Sequence, residues 1–363
     1  MARILFTICG VGRGHATRSA EIIRQLMKRH EVFIVSYGDA YDFLKEKFRV
    51  EQIKWFKIMY DKGRYKSVST ILHNIPRLPF IFANNFSKLH KVVKEFKPDI
   101  VISDFDVNGI YIAKLSGLPV ITISNMHIMD YIKPDLKLNE KIDFMITQES
   151  MLKSFVGTDY FVIMHFTKPK TKKKGVYFFY PIVRENVTRL KPRDKGYFLV
   201  YSSAVQLQGI VPLLEKFSGK KFLVVGTDAK KRRNIEFIKF LDDDEFAKKL
   251  ADCTAFISHG GLSSMSEAFA LEKPVYTFSS KKFYERYYNG EMSQKLGIGF
   301  VEEKPTFGGI SEFFSSIPKY KKAIKKISFF PDNDEITAKI EEIIKKETSK
   351  PNNPGKHKYS SFL

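Results

Sequence analysis

The chain has 363 residues, with 61 Lys and Arg against 40 Asp and Glu, a formal net charge of +21. That length exceeds one comfortable hydrophobic core and predicts two domains of roughly 150 to 190 residues each. A composition of 44% hydrophobic and 14% aromatic residues excludes a disordered chain, the charge predicts an anionic partner, and no window approaches the ~20 apolar residues of a membrane-spanning helix.

The run RILFTI is a first strand that leads into a glycine-rich loop. A helix from about Thr17 to His30, the strand EVFIVSY and the helical DAYDFLKEKF follow, which is the β-α-β rhythm of a parallel sheet. Cys9 and Cys253 are the only two cysteines; each sits in an apolar run, as buried thiols of a reducing compartment do. Residues 43 to 97 interleave 13 basic side chains, against 4 acidic ones, with ten aromatics that include Trp55, Phe56, Tyr60, Phe80, Phe82 and Phe86. Two readings stand: a face that attracts anionic lipid and inserts aromatic rings, or ordinary core aromatics beneath solvated lysines.

Beyond this stretch the pattern gives a helix near 84 to 97, the buried strand DIVISDF, a helix from about Asn108 to Ser116 and the strand PVITIS. Short apolar strands bounded by Pro, Gly and Asp fit a sheet covered on both faces. KPKTKKKG and LKPRDKG are charged breaks, and the second marks the domain boundary. A new cycle follows: YFLVYSS, a helix near 206 to 217, KKFLVVG, a helix near 244 to 250, CTAFISH, a helix near 263 to 271, PVYTFS and a helix near 284 to 295. The predicted organisation is an N-terminal domain over 1–190, a C-terminal domain over 191–332, and a helix over 333–348 with the option of packing back on the first domain. A tail over 349–363 has the composition of a disordered end. The fold class is α/β: two doubly wound Rossmann-like domains expected to face each other across a cleft, with ligands at the C-terminal ends of the strands.

Two motifs carry chemistry. His259-Gly260-Gly261-Leu262-Ser263-Ser264, followed by Glu267, stands between a strand and a helix. Glycines there let a backbone approach a phosphate, the helix start offers unpaired N–H groups, and Ser264 adds a hydroxyl donor. The plain alternative is a strand-to-helix turn with Ser263 as N-cap. Gly10-Val11-Gly12-Arg13-Gly14-His15 follows the first strand, but its spacing is not that of a dinucleotide-binding fingerprint.

The second-domain segment resembles the H-x-G-x-x-S-x-x-E donor signature of inverting glycosyltransferases with two facing Rossmann-like domains (the GT-B fold). The likeness is to UDP-glycosyltransferases and lipid-linked N-acetylglucosaminyltransferase relatives. His259, Gly261, Ser264 and Glu267 match in register. The resemblance implies diphosphate contacts from His259 through Gly260, Gly261, Ser263 and Ser264, with ribose contacts from Glu267. It continues through Glu285, Arg286 and Asn289, where such families hold the donor sugar. Arg286 stands where Gln is common and Gly290 where Ala is common, so the sugar is not specified. Ser202 and Ser203 fall where small residues face the donor phosphates, or simply cap a helix. The first loop is similar to the glycine-rich, His-containing loop of the same families, which implies acceptor contacts from Gly12, Arg13, Gly14 and Arg18.

On this resemblance His15 is the expected general base, since an imidazole titrating near neutrality can take a proton from an acceptor hydroxyl. Asp104 is its expected partner and Asp106 the reserve; the alternative is that His15 holds a phosphate and Asp104 caps a helix. Asp104-Phe105-Asp106 spells D-x-D but lies in the wrong half for a donor-binding metal site, so no metal and no cofactor are expected, the nucleotide-sugar being substrate. The expected function is transfer from a nucleotide-sugar, most simply a UDP-sugar, to a membrane lipid or lipid-linked acceptor, by a protein peripheral to the inner face of the cell membrane. An epimerase or hydrolase of the same fold, or a non-catalytic nucleotide-sugar-binding protein, is the alternative. A nucleic-acid partner is not expected, because it would leave His259 to Glu267 unexplained.

Overall fold

The computed structural model describes residues 1–55, 60–61, 64–65, 74–145, 149–281, 284–327 and 331–350. Phe56 and most of the basic stretch up to residue 73 lie outside them, as does the tail from residue 351 that composition marks as disordered. The chain forms two units, one of Met1–Lys133, Glu149–Phe179 and Asp332–Leu363, the other of Pro134–Gln148 and Tyr180–Pro331.

The first unit is built on seven strands: β1 (Arg3–Ile8), β2 (Glu31–Ser36), β3 (Val50–Gln52), β6 (Ile100–Asp104), β7 (Val120–Ser124), β8 (Tyr160–Met164) and β9 (Val176–Phe179). Tyr60–Asp61 (β4) and Arg64–Tyr65 (β5) pair separately as a short antiparallel hairpin. The sheet order is β3-β2-β1-β6-β7-β8-β9, and every neighbouring pair is parallel. The order reverses between β1 and β6, the switch point at which a doubly wound sheet opens a crevice beyond its strand ends. β6 and β7 are buried along their whole length, which is why IVISD and VITIS are continuous apolar runs with small polar residues and no alternation. The core on one face joins Leu5, Val35, Val101 and Val120 to Leu89, Val92 and Val93 of the helix Leu78–Phe96.

The second unit repeats the plan with β10 (Tyr197–Tyr201), β11 (Lys221–Val225), β12 (Ile235–Ile238), β13 (Ala255–Ser258), β14 (Val275–Phe278) and β15 (Gly299–Glu302). These run in the order β12-β11-β10-β13-β14-β15, again all parallel, with the switch point between β10 and β13. Tyr276 and Phe313 anchor its core, the latter on a 21-residue helix, Phe307–Ile327.

After an earlier excursion at Pro134–Gln148, the chain crosses into the second unit for its main body at Tyr180, ten residues before the charged break that marks the boundary in the sequence. Ile182, Val183 and Val187 are buried, and Glu185–Thr188 forms a short helix against Asp243–Asp252 and Leu262–Ala270. Apolar burial, not surface charge, decides where the crossing falls.

The last helix, Asn333–Thr348, belongs to the first unit. Its buried Ile336, Ile340, Ile343 and Ile344 form the apolar stripe of an amphipathic helix, and it packs against the helix Gly14–Leu26. Glu341 reaches His30 Nε2 at 2.8 Å, and Tyr160 donates to Glu347 at 2.5 Å. Ile340 is fully buried, so Ile340→Ala should cost about 2 to 4 kcal/mol through lost transfer energy and a residual cavity. Denaturant titration should show a lower midpoint, and an unchanged midpoint would mean that the helix contributes nothing to stability.

Candidate active site

The loop after β1 and the end of β6 meet at the switch point of the first sheet. Cys9 N–H donates to the Asp104 carbonyl at 2.9 Å, which fixes the loop to the neighbouring strand. The helix Gly14–Leu26 then presents His15, Arg18 and Ser19 to the Asp104 carboxylate, which is wholly buried. Arg18 donates from Nε to Oδ2 at 2.8 Å and from its terminal nitrogen to Oδ1, while Ser19 Oγ donates to Oδ2 at 2.7 Å. His15 Nδ1 lies 2.9 Å from Oδ1. Burial alone would raise the Asp104 pKa, but the Arg18 guanidinium and His15 override it and hold the carboxyl well below its usual range.

Arg18 also stands 2.9 Å from His15 Nδ1, so that nitrogen has two neighbours and takes only one hydrogen bond. An ionised carboxylate accepts and a guanidinium only donates. A bond to Asp104 would place the proton on Nδ1 and leave the Nε2 lone pair without a partner among the described residues, whereas a bond from Arg18 would place the proton on Nε2. The imidazole stacks on Phe105, with centroids 5.8 Å apart. Phe105 holds a positive φ of 53°, a conformation that costs a bulky residue energy and persists only where its surroundings enforce it. Asp106, the reserve partner, is committed elsewhere: it caps the helix Val107–Leu115, accepting from Gly109 N–H and Asn108.

Arg13 and Gly14 on the rim of this loop are exposed and Gly12 is half-buried. Arg18, expected beside them at the acceptor, is instead buried, with its guanidinium on Asp104 and within 3.4 Å of Asn125 Oδ1. Its position one turn into the helix turns it inward. Ser19 and Asn125 have no motif that singles them out in the sequence.

At the switch point of the second sheet, β13 ends at Ser258 and the helix Leu262–Ala270 begins after Gly261, which is its N-cap with no side-chain cap bond. Ser263 therefore does not cap the helix but lies inside it. Gly260 has φ +89°, and a Cβ there would sit 2.3 Å from the Arg286 carbonyl oxygen, so only glycine fits. Asn289, fully buried, donates to the Gly260 carbonyl at 2.9 Å and fastens the loop to the helix Tyr284–Lys295. Arg286 and Glu285 lie on the same helix, both half-buried. A Cβ at Gly290 would meet Val301 at 2.7 Å and Thr277 at 3.0 Å, which explains glycine where the resemblance has alanine. Ser264 Oγ bonds the Gly261 carbonyl at 3.1 Å. Burial and the nearby Arg286 charge push the His259 pKa down to about 3, so its imidazole is neutral. Ser202, buried, and Ser203, exposed, follow β10 and both donate to Gln206 Oε1, at 2.6 and 3.3 Å.

Glu267 is buried and already has a partner. Arg184 donates to it twice, Nε to Oε1 at 2.5 Å and Nη2 to Oε2 at 2.8 Å, and also approaches Asp243 at 3.1 Å. No local spacing links residues 83 apart in sequence, so this pair was invisible without the fold. Each carboxylate oxygen of Glu267 keeps a second lone pair for a ligand hydroxyl. Among the described residues no helix is long and apolar enough to cross a membrane, and no three His, Cys, Asp or Glu side chains are grouped to hold a metal ion.

Two parallel doubly wound sheets, each with polar side chains gathered at its switch point, define a two-domain α/β protein of the GT-B fold, and solved structures agree. The chain superposes on the glycotransferase of kitacinnamycin with a TM-score of 0.66 at 14% identity, covering 95% of this chain and 99% of that one. It superposes on Acinetobacter baumannii MurG with a TM-score of 0.61 at 15% identity, covering 95% and 100%. The model of the family "Glycosyl transferase family 1" matches residues 2–318, and the chain belongs to that family. Two curated relatives, each named as an uncharacterized glycosyltransferase, are similar along most of their length. One, from Methanosarcina mazei, is 22% identical over 96% of this chain and 99% of its own. The other, from Methanosarcina acetivorans, is 24% identical over 82% and 84%.

Two outcomes follow from this geometry. Arg184→Met leaves Glu267 buried without its counter-ion, a change that typically costs about 3 to 5 kcal/mol; calorimetric unfolding should show a marked drop in Tm, and no drop would mean the pair is not formed in solution. An unfolded imidazole takes its proton near pH 6.5, but folded His259 does so only near 3. The unfolded state thus binds the proton first, and stability from this group falls as pH drops below about 6.5. Denaturation between pH 7 and 5 should show a shallower pH slope in His259→Asn than in the native chain.

Proposed function

We propose that this glycosyltransferase moves a sugar from a nucleotide-sugar, most simply a UDP-sugar, to a hydroxyl or phosphate of a lipid or lipid-linked acceptor, with inversion at the anomeric carbon. The observation that carries the reading is the His15–Asp104 pair, in which a buried carboxylate stands 2.9 Å from the imidazole Nδ1; we take the tautomer with its proton on Nδ1. As general base, Nε2 removes the acceptor proton while that oxygen attacks the anomeric carbon, and Asp104 stabilises the imidazolium that forms. A single direct displacement of this kind inverts the centre. Arg18 keeps Asp104 ionised, so the carboxylate remains an acceptor for the imidazole.

The leaving nucleoside diphosphate is assigned to the loop from His259 to Ser264. The start of the helix Leu262–Ala270 and its dipole favour that charge. A neutral His259 adds a hydrogen bond without a competing titration. Supporting this assignment, the GT-B neighbour VinC was solved in complex with DTDP. Glu267 is assigned to the ribose, held in place by Arg184, and Glu285, Arg286 and Asn289 to the sugar side. No cofactor enters the proposed step.

A membrane-associated acceptor is favoured by the helix Leu78–Phe96 and the turn before it. Ile75, Phe80, Phe82 and Phe86 are exposed there, Phe80 at 76%, beside Arg77, Lys91 and Lys94. Such rings are the inserting half of an interfacial anchor and the cations its electrostatic half. On this reading the protein is a peripheral enzyme of the inner membrane face.

Labelled nucleotide-sugars incubated with native lipid extract should give transfer that falls by about 10²-fold or more in His15→Ala, with UDP binding kept. The anomeric coupling constant of the product should report inversion. Turnover of donor without acceptor would instead assign a hydrolase or epimerase, and retention of configuration would rule out the base mechanism. Phe80→Ser with Phe82→Ser should reduce flotation with anionic vesicles; equal flotation would remove the membrane assignment while leaving the transfer chemistry standing.

A further inference from the structure

At the opposite ends of the first sheet from His15 and Asp104 lies a cavity of about 840 Å³. It opens where β7, β8 and β9 begin, bounded by Pro119, Tyr160 and Val176, and the helix Asn333–Thr348 closes its side. A strand of five residues separates the two ends, roughly 16 Å at 3.3 Å per residue, so this cavity is no part of the site described above.

Its lining carries five lysines, Lys114, Lys173, Lys174, Lys346 and Lys350, and two carboxylates, Asp159 and Glu347. Both carboxylates are spent. Asp159 accepts from Lys114 Nζ at 3.0 Å and from Val120 N–H at 2.9 Å, and the stem of Lys114 lies across Gly157, where a Cβ would come within 2.8 Å of it. Glu347 accepts from Lys350 at 2.6 Å and from the Tyr160 hydroxyl. Lys346 is left over the Tyr160 ring, 5.3 Å from its centroid. Among the described residues Lys173, Lys174 and Lys346 form no ion pair with a carboxylate, although Glu347 lies within electrostatic reach of Lys346 and Asp130 of Lys173, so that five lysines and two carboxylates share one concavity.

Three ammonium groups held around a hollow by chain folding repel one another, and an anion that fits relieves the repulsion. The two bound carboxylates preserve the wall and give the site its shape. No lining residue belongs to the exposed large hydrophobics of the chain, so the inserting partner of a membrane anchor is missing here. The concavity instead suits a compact ligand, and ammonium groups bind phosphate oxygens as point charges.

We propose that this cavity is a second anion site, which takes a small ligand carrying two or more phosphate groups and holds it by Lys173, Lys174 and Lys346. Occupancy would join the helix Asn333–Thr348 to the start of β9 through a common counter-ion, and so stabilise the first unit independently of any sugar donor.

The test uses inorganic pyrophosphate with the full chain at physiological salt, monitored by calorimetry and thermal unfolding. Because the donor loop is also assigned to a diphosphate, two variants separate the sites: K173Q/K174Q/K346Q, which changes exposed side chains only, and Ser264→Ala in the donor loop. Pyrophosphate should raise the Tm of the native chain and of Ser264→Ala, whereas the triple variant should bind at this site about tenfold or more weakly while keeping UDP affinity. Flotation with phosphatidylglycerol vesicles forms the second arm, in which the triple variant should match the native chain. Loss of flotation together with unchanged pyrophosphate binding would transfer the site to lipid headgroups and overturn the proposal, as would identical pyrophosphate binding by the native and triple-variant chains. A loss of UDP binding in Ser264→Ala alone would bear on the donor assignment and not on this cavity.

Discussion

The buried carboxylate of Asp104 is the constraint on which the first site rests. A charge removed from water is tolerated only when it is fully partnered, and here Arg18, Ser19 and His15 all converge on it from one helix. The same contacts that satisfy the charge hold that helix against β6 and orient the imidazole. A change that loosened Asp104 would disturb packing and the imidazole together.

The second site is organised on another principle. Its loop is shaped by the absence of side-chain atoms at Gly260, by the Asn289 amide that holds the Gly260 carbonyl, and by a helix that begins without a side-chain cap. Where Asp104 gathers donors around a fixed charge, this loop is held by its own backbone and by one amide. Arg184 and Glu267 form a bidentate pair that fastens the second turn of the same helix.

Much of this was legible in the sequence, because the signals involved are local. Strands such as IVISD and AFIS announce themselves as short apolar runs, and His259, Gly261, Ser264 and Glu267 hold a fixed register within one strand-to-helix turn. His15 and Asp104 are named from the family resemblance, and the fold brings them within hydrogen-bond distance. What the sequence withheld is long-range. Arg18 lies in the same motif as His15, yet nothing in its spacing says whether it turns outward or toward a carboxylate 86 residues away. The Arg184–Glu267 pair and the lysine-lined hollow are made by segments far apart in sequence, and the true crossing into the second unit depends on which apolar residues of PIVRENV find a core. Charged residues mark where a boundary is permitted; burial decides where it lies.

The segmented make-up of the first unit bears on how the polypeptide is born. Its final helix buries four isoleucines against elements made some 300 residues earlier, so during synthesis the N-terminal sheet leaves the ribosome with that flank uncovered. The second unit, whose strands all lie between Tyr197 and Glu302, has every strand in hand before that helix is translated. Nascent chains of this protein thus carry a half-finished domain for most of their elongation, and its sticky flank is the natural target for holding chaperones until the last turn arrives.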